Sequence, residues 1–382
     1  MSSSPYSRLA VLSLTHIVND ANLVILSTVI PLIVKEFSLS YTEAGLAVNI
    51  SFLSMIFLQI LFGHLSGKTN LGYMLALGLF IIGLCGFLTA LANSFYMLLV
   101  AQLLMGVGAS FYHPIAYGLT RYLYEEGARG KAFGLVTSSG DLGVLIVFIA
   151  SGVASVFYGW RFPVIMFSLL AIVVGILSLR YFDLKGWGQE KTVKTIKDPS
   201  IIKVLILILI AYILVVSVNR ISYSYIPLIL AEYVSNQAVI NLNIATLTLF
   251  GIISGLISGA VIDRYNVSLY TVMITIFMVI SPLILIQYTT NPFLVFSTLA
   301  LLGFVIYAHK PIIYSYILGG SISGNFGTIY GLTVSLGMVG GLIASIATGI
   351  FADFYGIHFT MIISSGISLV VLVIYLYWLN TG

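Results

Sequence analysis

Seven ionisable side chains interrupt otherwise apolar stretches of this chain: His16, Asp20, His113 and Asp141 in its first half, and Arg220, His309 and Lys310 in its second. A charged group in hydrocarbon is costly and ordinarily faces a cavity or a partner, so function is expected at these positions. The acids fall in one half and the fixed bases in the other. That division suits proton exchange at the first set and anion capture at the second.

Spacing sharpens the expectation. His16, Asn19, Asp20 and Ser27 stand at i, i+3, i+4 and i+11, along one stripe of a 3.6-residue helix. Asp20 suits a proton carrier, because a carboxyl in a low-dielectric pocket can change charge as its surroundings change; a permanent hydrogen bond to Asn19 or a neighbouring helix is the alternative. Asp141 follows Gly134 and Ser138 on a small-residue face, where a second proton site and plain helix packing both fit. Ser110, His113 and Tyr117 share a helix face, as do Tyr307, Lys310 and Tyr314, and phenol hydroxyls can orient a polar solute while their rings touch its apolar part. His113 also suits a satisfied core histidine, and Lys310 a lysine reaching toward an interface.

Arg220, with Asn219 and Tyr223 beside it, stays charged and grips carboxylate or phosphonate bidentately, which fits anion capture better than proton transfer. A static ion pair with Asp20 or Asp141 is the other reading. The expected proton set is therefore Asp20, Asp141 and His113. The expected solute set is His16, Asn19, Tyr117, Asn219, Arg220, Tyr223, Tyr307, His309, Lys310 and Tyr314.

The elements that hold these groups belong in a bilayer. The 382 residues are 60% hydrophobic and only 7% charged, whereas a soluble domain carries about a quarter charged residues. Hydrophobic runs between turn signals predict twelve spans near 9–34, 43–66, 71–91, 95–122, 130–157, 161–181, 201–231, 238–262, 268–289, 293–317, 325–352 and 357–380. The hydrophilic stretch 183–200, with Lys185, Lys191, Lys194 and Lys197, reads as a cytoplasmic linker between a bundle at 1–182 and another at 201–382. Residues 1–8 run into the first span without a small-residue cleavage signature, so that span is expected to be retained.

Arg8, Lys68, Arg121, Arg129, Lys131, Arg180, the linker lysines, Lys203 and Arg264 fall on one side of this topology, and only Lys35 and Arg161 on the other. By the positive-inside rule both termini are expected in the cytoplasm. The net charge of +4 is scattered over short loops rather than gathered on one face, which argues against nucleic acid as a partner. A lone cysteine, Cys85, excludes an internal disulfide. The five histidines show no metal-ligand spacing along the chain, and no Gly-rich phosphate loop is present, so neither metal nor other cofactor is expected and direct ATP coupling is disfavoured. No nucleophile and base stand at helical spacing, so an enzyme is the least favoured class.

The chain also repeats itself. At an offset of 197, Gly106 meets Gly303, Pro114 meets Pro311, His113 meets Lys310, and the triplet Phe157-Tyr158-Gly159 meets Phe354-Tyr355-Gly356. At 196, Ile30-Pro31-Leu32-Ile33 meets Ile226-Pro227-Leu228-Ile229. Six spans separate each pair, so two six-helix units share one orientation, the parallel repeat that places a solute site between halves. Asp20 stands eleven residues before its proline and Arg220 seven before the equivalent one, so Arg220 is expected about 6 Å nearer the outside.

With these features the chain resembles the major facilitator superfamily over essentially all twelve spans. The family's Gly-x-x-x-Asp-Arg gating pattern stands as Gly259-Ala260-Val261-Ile262-Asp263-Arg264, and its first-half copy as Gly63-His64-Leu65-Ser66-Gly67-Lys68, without the acid. Residues 16–20 and 106–114 resemble the fosmidomycin resistance group of drug exporters, although the drug-antiporter arginine falls at Gln102 and the exporter Gly-Pro is Gly140-Asp141. The resemblance implies an all-α membrane protein of twelve transmembrane helices in two pseudo-symmetric six-helix bundles, working as a monomer in the cytoplasmic membrane by alternating access. A proton-coupled carrier of a small anionic or zwitterionic solute is the leading expectation. Drug and proton antiport is one alternative, and a non-transporting membrane receptor or scaffold another.

Overall fold

A computed structural model of the protein describes residues 5–66, 69–124, 126–182, 199–262, 267–319 and 326–381. Secondary structure among these residues is helical throughout: α1 Pro5–Phe37, α2 Tyr41–Asn49, α3 Ser51–Ser66, α4 Leu71–Ala90, α5 Phe95–Ala109, α6 Tyr112–Leu123, α7 Glu126–Tyr158, α8 Arg161–Tyr181, α9 Pro199–Ala231, α10 Gln237–Ile262, α11 Val267–Gln287, α12 Pro292–Gly319, α13 Phe326–Tyr355 and α14 Phe359–Thr381. Twelve spans among the described residues are long and apolar enough to cross a membrane, and their bounds follow the hydropathy reading closely except at the start of the eleventh, which falls at Leu332 rather than 325.

Fourteen helices make twelve spans because two spans are broken. α2 and α3 share Tyr41–Gly63, and α5 and α6 share Phe95–Thr120. The second break has a covalent cause: Pro114 lacks an N–H and its ring crowds the carbonyl four residues back, at Ser110, where α5 has just ended. The repeat-equivalent Pro311 is carried inside the continuous helix α12. At the first break Asn49 turns its Nδ2 back to the Gly45 carbonyl at 2.9 Å.

The chain divides into two compact units. One comprises the described parts of Met1–Phe37, Ile50–Lys191 and Gly327–Ser335; the other comprises those of Ser38–Asn49, Thr192–Phe326 and Leu336–Gly382. In the first, α1 runs along α7 and α4 along α8; in the second, α10 pairs with α12 and α11 with α14. Burial of Leu12, Phe111, Ile115, Leu119, Val136 and Phe182 closes one core of the first unit. Apart from Pro199 and Ser200, which open α9, the expected linker lies outside the described residues.

The duplication is visible in packing as well as in sequence. A Cβ on Gly106 would fall 2.0 Å from the Ser51 carbonyl oxygen, and one on Gly303 would fall 1.9 Å from that of Leu247, which is Ser51 moved by 196. Only glycine lets each helix pair approach so closely. The repeated triplets also earn a reason: α7 and α13 both stop at their tyrosine, and Gly159 and Gly356 follow at φ of 75° and 88°. That left-handed geometry closes a helix and is strained for any residue with a side chain.

One end of each unit carries an equivalent ion pair as well. Arg161 binds Glu36 through Nη1 at 3.0 Å and Nη2 at 2.7 Å and also donates to the Ala90 and Ala92 carbonyls, while Trp160 Nε1 donates to the same carboxylate. The equivalents are His358 and Glu232, paired at 3.1 Å.

Candidate functional site

In the first unit the ionisable groups converge. His16 and Asp20 lie one helical turn apart on α1, and their Nε2 and Oδ2 atoms approach to 3.3 Å. His113 joins them from α6, beyond the Pro114 break, so that one donor atom from each of the three lies within 4.8 Å of the others. Asn19 Nδ2 donates to the second Asp20 oxygen at 2.9 Å. Gly140 of α7 makes room: a Cβ there would stand 2.5 Å from Asp20 Oδ2 and 2.6 Å from His16 Nε2. Asp141, next along α7, lies close enough to act on His16 electrostatically.

The hydrogen bonds fix where protons sit. His16 Nδ1 faces the Val136 carbonyl at 2.5 Å, and a carbonyl only accepts, so Nδ1 carries its proton. Nε2, buried and without a hydrogen-bond partner, then confronts a carboxylate oxygen. Two lone pairs would repel there. The contact becomes attractive when a proton is held by either Nε2 or Oδ2, as imidazolium and carboxylate or as imidazole and carboxylic acid. The His16 ring is pinned for this by stacking on Tyr112, centroid to centroid 4.4 Å, and by an edge contact with His113 at 5.4 Å. His16 is only 3% exposed, whereas Asp20 is 23% exposed.

The equivalent place in the second unit is a small cavity of about 40 Å³ lined by Tyr212, Val215, Val216, Asn219, Ile306, Lys310 and Ile313. Tyr212, Val215 and Val216 are His16, Asn19 and Asp20 moved by 196, and Lys310 is His113 moved by 197. Tyr212 packs on Gly337 as His16 does on Gly140. Asn219 Nδ2 is buried at this cavity without a hydrogen-bond partner. The Lys310 ammonium sits 3.8 Å above the centre of the Tyr307 ring, and Tyr307 continues into a hydroxyl chain, 2.9 Å to Tyr223 and 2.7 Å on to Thr248.

The remaining expected residues are dispersed. Arg220 rests its stem on Gly341, and its carbonyl accepts from Ser224. His309 lies fully buried away from the cavity, bonded to the Val305 carbonyl and Thr275 and stacked on Tyr375. Gln102, at the antiporter-arginine position, donates to Thr89 in the interior. A Cβ on Gly63 would meet Pro114 at 3.4 Å, and one on Gly259 would meet open space. Lys68, Asp263, Arg264 and the side chains of Tyr117 and Tyr314 lie outside the described residues. Sequence reasoning missed Tyr212, although shifting His16 by the offset already present in the repeat points straight to it.

The Major Facilitator Superfamily model matches residues 12–344. Among curated proteins the chain is 24% identical to an uncharacterized MFS-type transporter of Bacillus subtilis (strain 168), YfnC, covering 94% of this chain and 89% of that one. It is 29% identical to the fosmidomycin resistance protein of Escherichia coli (strain K12), over 50% of this chain and about half (48%) of the relative. Among solved structures, a bacterial homolog to human lysosomal transporter Spinster, in an inward-facing and occupied conformation, superposes with a TM-score of 0.82 at 14% identity, covering 100% of this chain and 98% of that one.

Proposed function

The chain belongs to the Major Facilitator Superfamily and is a multi-pass membrane transporter, and from that premise we propose that it is a proton-coupled carrier of a small anionic organic solute. It works by alternating access in the cytoplasmic membrane, as a monomer with both termini on the cytoplasmic side. Asp20, with His16 and His113, handles the proton, and Asp141 adds to its field. Lys310 and Asn219, which line the second-unit cavity, hold the anion, and the Tyr307 ring under the ammonium positions Lys310.

The observation that carries this reading is the His16–Asp20 contact, which is attractive only when it holds a proton that neither the Val136 bond nor Asn19 supplies. Coupling requires the proton to be bound more tightly in one access state than in the other, since a proton favouring neither would drive nothing. Asp20, 23% exposed against 3% for His16, is the partner whose surroundings can differ between access states.

The test is solute distribution in proteoliposomes with membrane potential clamped. A one-unit pH gradient is worth about 1.4 kcal/mol per proton, so one coupled proton shifts the distribution about tenfold, inward for symport or outward for antiport. A distribution indifferent to the gradient overturns the proposal. The partial likeness to the fosmidomycin resistance protein favours a second reading, drug and proton antiport of the fosmidomycin-resistance type. Expression that leaves drug sensitivity of a susceptible strain unchanged removes that reading.

A further inference from the structure

We propose, on the basis that the second-unit cavity is the solute site, that it selects short-chain monocarboxylates of about two to four carbons, with Asn219 and Lys310 reading the two carboxylate oxygens. The lining supplies the argument. Val215, Val216, Ile306 and Ile313 are apolar, Asn219 brings an amide donor, Lys310 an ammonium and Tyr212 a phenol. No lining residue is acidic, so a zwitterion's ammonium would find no counter-charge there. A second carboxylate would lie against valine or isoleucine at a desolvation cost no donor offsets.

The Asn219 amide strengthens the case because its Nδ2 is buried without a partner, so an acceptor reaching it relieves a desolvation cost. One carboxylate oxygen on that amide and the other on the ammonium would use both donors. Size sets the chain length. A water takes roughly 10–15 Å³ of such space, so about 40 Å³ admits a body of a few non-hydrogen atoms.

The first unit shows why the site is here. Its equivalents to Val216 and Lys310 are Asp20 and His113, and an acid at that position repels a carboxylate. Only in the second unit does the frame combine a fixed cation with apolar walls.

The experiment is a calorimetric titration of the purified full-length protein with acetate, propionate, butyrate, hexanoate, succinate, alanine and acetamide. Propionate and butyrate are expected to bind at least tenfold more tightly than hexanoate, succinate, alanine or the neutral acetamide. Asn219→Ala and Lys310→Gln are each expected to weaken butyrate about tenfold or more while the melting temperature stays near that of the parent. Val216→Phe, which fills the cavity, blocks binding while leaving both donors in place. Affinity that ignores chain length and charge, or that survives both donor substitutions, overturns the proposal. A variant that fails to fold is replaced by the ligand series on the parent protein, which decides by itself. Should butyrate bind but ignore a pH gradient, proton coupling fails and this inference stands; should the gradient drive only larger or cationic solutes, this inference fails and the coupling stands.

Discussion

At positions related by the repeat, the first unit carries His16, Asn19, Asp20 and His113, and the second carries Tyr212, Val215, Val216 and Lys310. The supporting backbone is shared: Gly140 admits the first set and Gly337 the second, and each set combines the unit's opening span with its fourth. What differs is the capacity to hold charge. One copy holds an imidazole against a carboxyl, while the other sets a lysine among valines and isoleucines. Duplication therefore fixed a place in the fold, and on the proposed function side-chain replacement divides the labour between its two copies.

The sharpest test of shared backbone is the paired glycine contact. Gly106→Ala and Gly303→Ala each drive a methyl into a backbone carbonyl that has no rotamer to yield, so each should cost about 3 kcal/mol of stability, measured by thermal denaturation in detergent. The two losses should agree; a tolerated alanine at either position would break the equivalence.

Next in size is a change that makes the copies alike. Val216→Asp places a carboxyl where the first unit has Asp20, in the same cavity as Lys310, and should weaken an anionic solute about 30-fold in a binding titration. Unaltered affinity would separate that cavity from solute binding.

The ion pairs at equivalent ends differ in the same sense. Arg161→Ala removes a bidentate contact, two carbonyl bonds and a stack on Trp160, and should cost about 1 kcal/mol even after solvent screening. His358→Ala, which loses one exposed pair and a tyrosine contact, should cost under about 0.5 kcal/mol. Of comparable size, Tyr223→Phe deletes the middle of the Tyr307–Tyr223–Thr248 chain; it should shift stability by about 0.5 kcal/mol and leave proton-driven transport intact, as melting and uptake assays would show.

Much of this was legible before any coordinates. Twelve apolar runs and offsets of 196 and 197 define spans and duplication, because a bilayer demands length and a repeat preserves its glycines. His16, Asn19 and Asp20 could be grouped because they share one helix, where spacing is geometry. His113 could be paired with Lys310 by offset, but its meeting with His16 depends on how α6 returns after the Pro114 break, and local spacing does not encode that. Tyr212 was hidden by its type, since an aromatic in a hydrophobic run ordinarily means packing. His309 looked like part of the site through adjacency to Lys310, yet neighbours on a helix point about 100° apart, and it turns instead to Thr275 and Tyr375.

The division of labour is tested most directly by reconstituting Asp20→Asn and Lys310→Gln side by side and measuring, for each, solute exchange at equal pH and accumulation under a pH gradient. Asp20→Asn should keep exchange and lose the gradient's roughly tenfold drive, whereas Lys310→Gln should lose both through weakened solute binding. Gradient-driven accumulation that survives Asp20→Asn, or exchange that survives Lys310→Gln at parental affinity, contradicts the account.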